Sequence, residues 1–197
     1  LGTTAVKASV VAIDGRVLGS GLTPVTTVFG PGGAAEQDAE AIWQATLAAC
    51  VAAIGAAGSD AARAVRVVCA TSQWASIVPV GRDGHPVGPM ITWLDQRGAA
   101  SSGAVFGGPD ARDVLARWSE IHGFIPTASL GHVLFLQRAF PDVHARTAAY
   151  LEPMDYLNAR LTGRLAASAN TAMPFTLTDN RRLDGVTWSD ELVQRAG

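Results

Sequence analysis

The sequence predicts an α/β fold, and three observations support this prediction. Residues 6–14 and 17–23 are apolar and partly β-branched, and Asp14-Gly15 between them is a preferred hairpin turn. Residues 38–58 then show helical spacing, and residues 64–72 return to the apolar, β-branched composition of a buried strand. Strands that flank a helix in this way are typical of the α/β class.

The elements of the first half follow from local signals. Residues 26–29 are expected to add a third strand, and the loop 30–33 (Gly-Pro-Gly-Gly) lets the chain change direction. Asp38 can cap the first helix, and Gly55 and Gly58 can end it. We expect its buried face to consist of the residues that recur at helical spacing, namely Trp43, Leu47, Cys50 or Val51, and Ile54.

The second half combines one hairpin with a run of helices. Asp83-Gly84 separates two short apolar runs, and Pro86 and Pro89 restrict that hairpin to irregular or edge pairing. Residues 110–118, 129–140 and 153–161 carry apolar side chains at three- and four-residue intervals. Pro153 and Gly163 stand where helices prefer to start and stop, so three helices are predicted here.

Length and composition indicate one globular domain. The chain has 197 residues, 48% of them hydrophobic and only 16% charged, with a formal net charge of -2. Because no segment concentrates Lys and Arg, we expect no nucleic-acid partner. The most apolar run, residues 45–57, is shorter than a membrane crossing needs and reads as a core helix. No basic segment followed by an apolar core opens the chain, so no signal peptide is expected.

Cysteine and histidine usage argues against disulfide and zinc chemistry. Cys50 and Cys69 each lie in an apolar run, where a small thiol packs well. A disulfide between them is one alternative, and a reducing cytosol is the favoured one. The four histidines lack the spacing of a helical zinc site. We therefore expect a cytoplasmic protein without a His or Cys metal centre.

The opening turn is a candidate anion site. Gly2-Thr3-Thr4 offers three backbone N–H groups, two hydroxyls and one position free of Cβ crowding, immediately before a strand. Such a turn can approach phosphate oxygens closely, and Lys7 could add charge. The alternatives are that the turn is an ordinary entry to a hairpin and that Lys7 is a solvated strand residue.

Two further stretches carry side chains suited to a sugar or polyol. In "ATSQWAS", an expected strand runs into Gln73, Trp74 and Ala75, and in "TWLDQR" an aromatic ring, an acid, an amide and a guanidinium fall within five positions. Polyhydroxylated ligands need paired hydrogen bonds and an apolar face, which Trp93 and Asp95 could supply. The alternative is that Trp93 is a core residue and that Asp95 with Arg97 caps the next helix.

Taken in order, these segments resemble the N-terminal domain of the FGGY carbohydrate kinases, over nearly the whole chain. "LGTTAVKASVVAIDG" is similar to the family's Asp-x-Gly-Thr-Thr phosphate motif, "EQDAEAIWQATLAAC" to its acidic first helix, and "CATSQWAS" and "MITWLDQR" to its two sugar-site segments. The run "HVLFLQRAFPDVHARTAAYLEPMDYLNARLTGRL" resembles its helices that end in Asp-Tyr-Leu and Leu-Thr-Gly. An aspartate immediately before Leu1 is implied by this match.

The resemblance implies a ribonuclease H-like fold of the actin and hexokinase superfamily, with a mixed sheet flanked by helices. It implies an ATP-dependent kinase of a sugar or polyol, with a pentulose such as xylulose favoured, and ATP and Mg²⁺ as cofactors. Residues 1–197 would form the N-terminal domain; the general base belongs to a second domain, and the whole protein could dimerise. The implied site residues are Gly2, Thr3, Thr4 and Lys7 for the nucleotide, and Gln73, Trp74, Ala75, Trp93 and Asp95 for the sugar.

Departures from the family pattern leave the substrate and one other function open. Xylulose kinases resemble one another in a Met-His pair and glycerol kinases in an Arg-Glu pair, where this chain has Trp74-Ala75. "AASANTAM" lacks the family's carboxylate, and so has either lost a polar role or is a structural turn. The second hypothesis is a non-catalytic module that keeps the kinase-like half to bind a sugar or a protein.

Overall fold

The computed structural model describes residues 1–123 and 128–197, which form nine helices and nine strands. The strands are β1 (Ala5–Val11), β2 (Val17–Pro24), β3 (Val28–Gly30), β4 (Ala34–Gln37), β5 (Val78–Val80), β6 (Met90–Ile91), β7 (Ala149–Leu151), β8 (Thr178–Asp179) and β9 (Thr187–Trp188). The helices are α1 (Ala39–Ala57), α2 (Ser59–Ala64), α3 (Ala99–Phe106), α4 (Ala111–His122), α5 (Ala128–Ala139), α6 (Pro141–Arg146), α7 (Pro153–Thr162), α8 (Ala169–Ala172) and α9 (Asp190–Ala196).

The strands pair in small antiparallel ladders. β1 pairs with β2, β4 lies between β3 and β6, β5 pairs with β7, and β8 pairs with β9. The first hairpin is confirmed. At the second hairpin, the predicted turn forms and pairing is irregular, because only the bridges Val80 to Pro86 and Ile77 to Ile91 close it. The main core lies where β5, β6 and β7 meet α1 and α7.

Three of the predicted helices are confirmed by α4, α5 and α7. Gly163 adopts the left-handed conformation that ends α7, and its N–H donates to the carbonyl of Ala159. The cap of α1 is also confirmed, since the Asp38 carboxylate accepts hydrogen bonds from the N–H groups of Glu40 and Ala41. These outcomes depend on short-range signals, which is why the sequence predicts them well.

The predicted buried face of α1 is wrong at three residues, although Trp43 and Cys50 are half-buried as expected. Leu47, Val51 and Ile54 are exposed, and the residues that are buried are Ala39, Ile42, Ala45, Ala49 and Ala53. The reason is the β1–β2 hairpin, which packs on α1 through Gly19 and Gly21. A Cβ added at Gly21 would lie 2.2 Å from the Ala49 carbonyl oxygen, and one at Gly19 would lie 2.4 Å from that of Ala53. Only alanines and glycines allow this close approach.

Gly21→Ala is expected to lower the free energy of unfolding by about 3 kcal/mol, the upper range for overpacking, because the new methyl group meets helix backbone that cannot give way. Gly55→Ala is the control. Gly55 lies in α1, the helix on which Gly21 packs, and has open space around it. Its replacement by alanine should therefore raise the free energy of unfolding by about 0.5–1 kcal/mol. Urea unfolding of both variants measures the difference, and equal stabilities would contradict the packing described above.

The predicted buried strand at residues 64–72 is also wrong. Val65, Val67 and Val68 are exposed, Val67 by 76%, and the N–H and C=O groups of residues 66–70 make no hydrogen bond within the described part of the chain. Only the end of this segment is anchored: the Leu1 nitrogen donates to the Thr71 carbonyl at 2.7 Å, and Gln73 N–H donates to the Leu1 carbonyl at 2.8 Å. These two bonds form a single parallel bridge. Composition identified an extended segment but could not indicate its neighbours.

Two further sequence expectations concern α1 and the thiols. By length and composition alone, α1 could cross a membrane. This is weak evidence of a membrane span, because α1 packs its alanine face on the β1–β2 hairpin. Both cysteines are free; Cys50 is half-buried as expected, but Cys69 is exposed because it belongs to residues 66–70, whose backbone groups are unbonded among the described residues.

Candidate functional site

The turn before β1 presents unbonded backbone donors. Gly2 N–H donates to the Ala5 carbonyl at 2.9 Å, which closes the turn, and the Thr4 carbonyl accepts from Val25 N–H. The N–H groups of Thr3 and Thr4 make no hydrogen bond with any described residue. Gly2 and Thr4 are exposed and Thr3 is half-buried, so the turn lies at the surface, where its unbonded N–H groups could bind an anion. The predicted anion turn is therefore physically able to serve as one.

Lys7 lies in β1 and is exposed, opposite Leu22 of β2. No ion pair or hydrogen bond of its ammonium group occurs among the described residues. Its predicted role at the nucleotide stays a prediction.

Thr3 is tied to the first sugar-site segment through a closed ring of three hydrogen bonds. Its hydroxyl donates to Gln73 Oε1 at 3.2 Å, the Gln73 amide donates to Gln37 Oε1 at 2.9 Å, and the Gln37 amide donates to the Thr3 carbonyl at 2.7 Å. Gln37 ends β4 and is 1% exposed. The structure thus brings together two segments that lie 70 residues apart in the sequence.

Trp93 borders this ring, and Trp74 directly follows Gln73 in the chain. The Trp93 indole donates to the Thr3 hydroxyl at 3.2 Å, and the Trp93 backbone N–H donates to the buried Ser76 hydroxyl at 3.0 Å. Trp93 is 49% exposed and Trp74 is 55% exposed. The alternative that Trp93 is a core residue is therefore wrong. Each exposed indole offers an apolar plane beside polar groups, the combination that suits a sugar ring or polyol chain.

Asp95 makes all its side-chain hydrogen bonds with the protein. Its carboxylate accepts from Ala35 N–H at 2.8 Å and from the Arg97 guanidinium at 2.6 Å, and Arg97 also binds Glu36 at 2.6 Å. Burial disfavours the charged form, but the Arg97 and Ala35 hydrogen bonds outweigh it and keep the pKa of Asp95 below its usual range. Asp95 does not cap α3, whose first turn follows Gly98 without a side-chain cap. Its role in sugar binding stays a prediction.

The backbone of the first tryptophan segment is strained at Ala75, directly after Trp74. This buried residue has a φ of 58°, in the left-handed region that non-glycine residues seldom occupy. Residues at the start of α7 hold this backbone in place. Met154 N–H donates to the Ser72 hydroxyl at 3.1 Å, and the backbone N–H groups of Ser76 and Ala75 lie against the Glu152 carboxyl. Strain maintained by surrounding contacts is common at ligand sites.

Glu152 is a site-adjacent residue that the sequence analysis missed. It is 1% exposed, and the Ser129 hydroxyl donates to it at 3.4 Å. Burial, reinforced by repulsion from Asp155, raises the pKa of Glu152 to about 8. No local signal marks this carboxyl as buried, because its partners lie on other elements. Gln37 was missed for the same reason, although it stands within the helix motif "EQDAE".

The segment "AASANTAM" is a structural turn in this protein. The Ser168 hydroxyl accepts from Thr171 N–H, and the Thr171 hydroxyl accepts in return from Ser168 N–H, so that together they form a capping box for α8. The residues that replace the family's carboxylate therefore have a folding role.

The family assignment follows from comparison with known proteins. The profile described as "FGGY family of carbohydrate kinases, N-terminal domain" matches residues 1–197. The chain belongs to this family. Its fold is accordingly the mixed α/β, actin-like fold of the FGGY N-terminal domain.

Curated relatives of this FGGY chain differ in their named substrates. It is 33% identical over 167 residues to the xylulose kinase of Streptomyces coelicolor, covering 82% of this chain and 32% of that one. It is 28% identical over 172 residues to the erythritol kinase of Brucella abortus, covering 87% and 32%. The FGGY chain thus spans about a third of the length of these relatives.

Solved structures support the same fold. The xylulose kinase of Rhodospirillum rubrum superposes with a TM-score of 0.84 at 22% identity, covering 99% of this FGGY chain and 39% of that one. The glycerol kinase of Plasmodium falciparum, solved with ADP, gives a TM-score of 0.78 at 16% identity, covering 98% and 38%.

Proposed function

We propose that this domain belongs to an ATP-dependent kinase that transfers the γ-phosphate to a hydroxyl of a sugar or polyol, with a pentulose such as xylulose as the first candidate. One observation carries the proposal. Thr3, in the turn with unbonded N–H groups, directly contacts both Gln73 and Trp93 of the two sugar-site segments. A nucleotide phosphate at the turn and a hydroxylated ligand at the tryptophans would therefore be neighbours, as phosphoryl transfer requires.

The chemistry assigned to these residues is positioning. The Thr3 and Thr4 N–H groups would bind phosphate oxygens, while Trp74 and Trp93 would orient the acceptor. We place the general base in a second domain, outside these residues. Magnesium would accompany ATP, but the described residues contain no group of three or more His, Cys, Asp or Glu side chains that could hold a metal ion.

The choice of acceptor class depends on the uncharged surface beside the ring. Trp74 and Ala75 replace the Met-His and Arg-Glu pairs of xylulose and glycerol kinases, so an acceptor here would meet an aromatic face and no additional charge. The Gln73 amide keeps one N–H and one lone pair that no described residue uses, which suits a ligand hydroxyl. This set fits a neutral polyhydroxylated acceptor.

Trp93→Ala is expected to raise the KM for the acceptor about 2- to 10-fold with little effect on the KM for ATP, because an aromatic contact is worth about 0.5–1.5 kcal/mol. Trp93→Phe keeps the ring but loses the indole bond to Thr3, so an intermediate effect would separate stacking from hydrogen bonding. Steady-state kinetics with each substrate varied provides the measurement. A selective rise in the KM for ATP would contradict the assignment.

The test of the proposed function is an acceptor screen on the protein produced from its complete coding sequence. Pentuloses, pentitols, hexuloses and glycerol would be supplied with Mg-ATP, and ADP release measured. We expect turnover of at least one pentulose or pentitol. If the folded protein turned over none of these acceptors, the kinase proposal would be rejected.

A second candidate is a non-catalytic sugar-binding or protein-interaction module. It is favoured by Asp95, whose carboxylate is fully engaged with Arg97 and Ala35 and leaves little for a ligand. Calorimetry separates the candidates: sugar binding that is independent of nucleotide, without ADP release, would favour the module.

For the enzyme we expect a cytoplasmic location, because the exposed Cys69 thiol would stay reduced there. We expect a small-molecule partner and allow a homodimer.

A further inference from the structure

The buried amide of Gln37 has a role that the site description leaves open. Its Nε2 donates to the Thr3 carbonyl at 2.7 Å and to the Thr27 hydroxyl at 3.0 Å, and its Oε1 accepts from Gln73 at 2.9 Å. Both N–H groups and one lone pair are thus used. Gln37 is fully buried and contacts neither solvent nor the place where an acceptor would lie.

Neither a hydrocarbon side chain nor a carboxylate can make these three contacts. A hydrocarbon side chain would leave the Thr3 carbonyl and the Gln73 amide without their partner, and a carboxylate would set an oxygen against the Thr3 carbonyl oxygen. A donor and an acceptor are needed at once, on the same side-chain amide. The Gln37 amide therefore supplies the donor that the Thr3 carbonyl needs and the acceptor that the Gln73 amide needs.

Through the ring, Gln37 contacts both of the segments to which ligands would bind. It holds the Thr3 carbonyl, which belongs to the turn with the unbonded Thr3 and Thr4 N–H groups, and it holds the Gln73 amide, which keeps one N–H and one lone pair for an acceptor. A ligand that orders Gln73 would also order the Thr3 turn through Gln37. Binding of the second ligand would then cost less ordering free energy.

We propose that Gln37 is a positioning residue that couples the two ligand segments, so that acceptor binding and nucleotide binding strengthen each other through it. The inference rests on the proposed kinase function. Such coupling is reciprocal: the factor by which the acceptor tightens nucleotide binding equals the factor by which the nucleotide tightens acceptor binding.

The experiment measures this coupling factor in the complete protein. Binding of the ATP analogue AMP-PNP is titrated with and without D-xylulose, erythritol or glycerol, and ATP turnover is recorded with the same acceptors. We expect at least one acceptor to tighten AMP-PNP binding about 5-fold or more in the wild type, the lower end of typical coupling. Gln37→Leu should bring the factor close to 1, and Gln37→Glu, which keeps the acceptor for Gln73, should give an intermediate value.

Thr178→Val is the matched control. Thr178 is equally buried and its hydroxyl bonds His122, but it lies on β8, away from the ring. This variant should lose stability while the coupling factor keeps its wild-type value, which separates positioning from a general loss of structure. If Gln37→Leu does not fold, the coupling factor of Gln37→Glu, compared with that of the wild type, decides the question.

The outcomes distinguish the inference from the function on which it rests. Turnover by the wild type with an unchanged coupling factor in both Gln37 variants would overturn the inference alone, as would a wild type that binds both ligands without coupling. Absence of turnover with all acceptors would overturn the kinase function and, with it, the inference. Turnover with a factor lost in the Gln37 variants and kept in Thr178→Val would support both.

Discussion

The free energy of unfolding is expected to fall by about 3 kcal/mol when Asp95 is replaced by asparagine. Its side chain is fully buried, and the change leaves the Arg97 guanidinium, itself only 15% exposed, with Glu36 as its remaining carboxylate. Removing one member of a buried ion pair is strongly destabilising because the other charge stays desolvated. Urea unfolding at pH 7 measures this effect.

Asp179→Asn serves as the control for Asp95→Asn. Asp179 pairs with Arg181 two residues later, as Asp95 does with Arg97, but the Asp179–Arg181 pair is at the surface. Its loss should have little effect on the free energy of unfolding. A cost for Asp95→Asn no larger than that of the control would show that the Asp95 network does not stabilise the fold, and would favour a ligand-binding role for its carboxylate.

The second large effect is a dependence of stability on pH that comes from Glu152. Its pKa of about 8 lies above the ordinary value of a glutamate, near 4.5, so the native state keeps a proton that the unfolded state releases between these values. The contribution of Glu152 to stability is therefore fully present below about pH 4.5. It falls as the pH rises, by up to about 1.4 kcal/mol per pH unit, and levels off above pH 8.

Comparison of the wild type with Glu152→Gln isolates this contribution. The buried imidazole of His132, whose pKa burial lowers to about 4, has the opposite effect below pH 6.5, so the difference between the two proteins is the quantity to measure. From pH 5 to pH 9 the urea midpoint of the wild type should fall relative to that of Glu152→Gln, because only the wild type loses stability from this group. Glu40→Gln, at a partly exposed carboxylate with a lowered pKa, should leave the slope over this range unchanged. A constant difference for Glu152→Gln across the range would contradict the prediction.

Signals within a few residues predicted the structure well. The Asp14-Gly15 turn, the Asp38 cap and the Gly163 stop each act through their own backbone and immediate neighbours, and the structure confirms all three. The face of α1 was mispredicted because burial there depends on a close approach by Gly19 and Gly21, which hydrophobicity does not encode. In an alanine-rich helix such as α1, hydrophobicity does not distinguish the buried face from the exposed one.

The site was predictable as segments but not as contacts. Thr3, Gln73 and Trp93 were selected for their chemistry and position, and the structure brings them within hydrogen-bond distance. Gln37 and Glu152 could not have been found in this way, because each acts through partners on distant elements. Only the fold reveals that Gln37, which precedes α1, and Glu152, which precedes α7, support the two ligand segments.

The extended stretch at residues 66–70 has a consequence for handling this domain. Its free N–H and C=O groups, together with the exposed Val67 and Val68, form a template that any other extended chain could join. Residues 1–197 prepared alone at high concentration should therefore self-associate through intermolecular β-sheet. Crystallisation or NMR of these residues by themselves would have to mask that edge, for instance with a lysine in place of Val67.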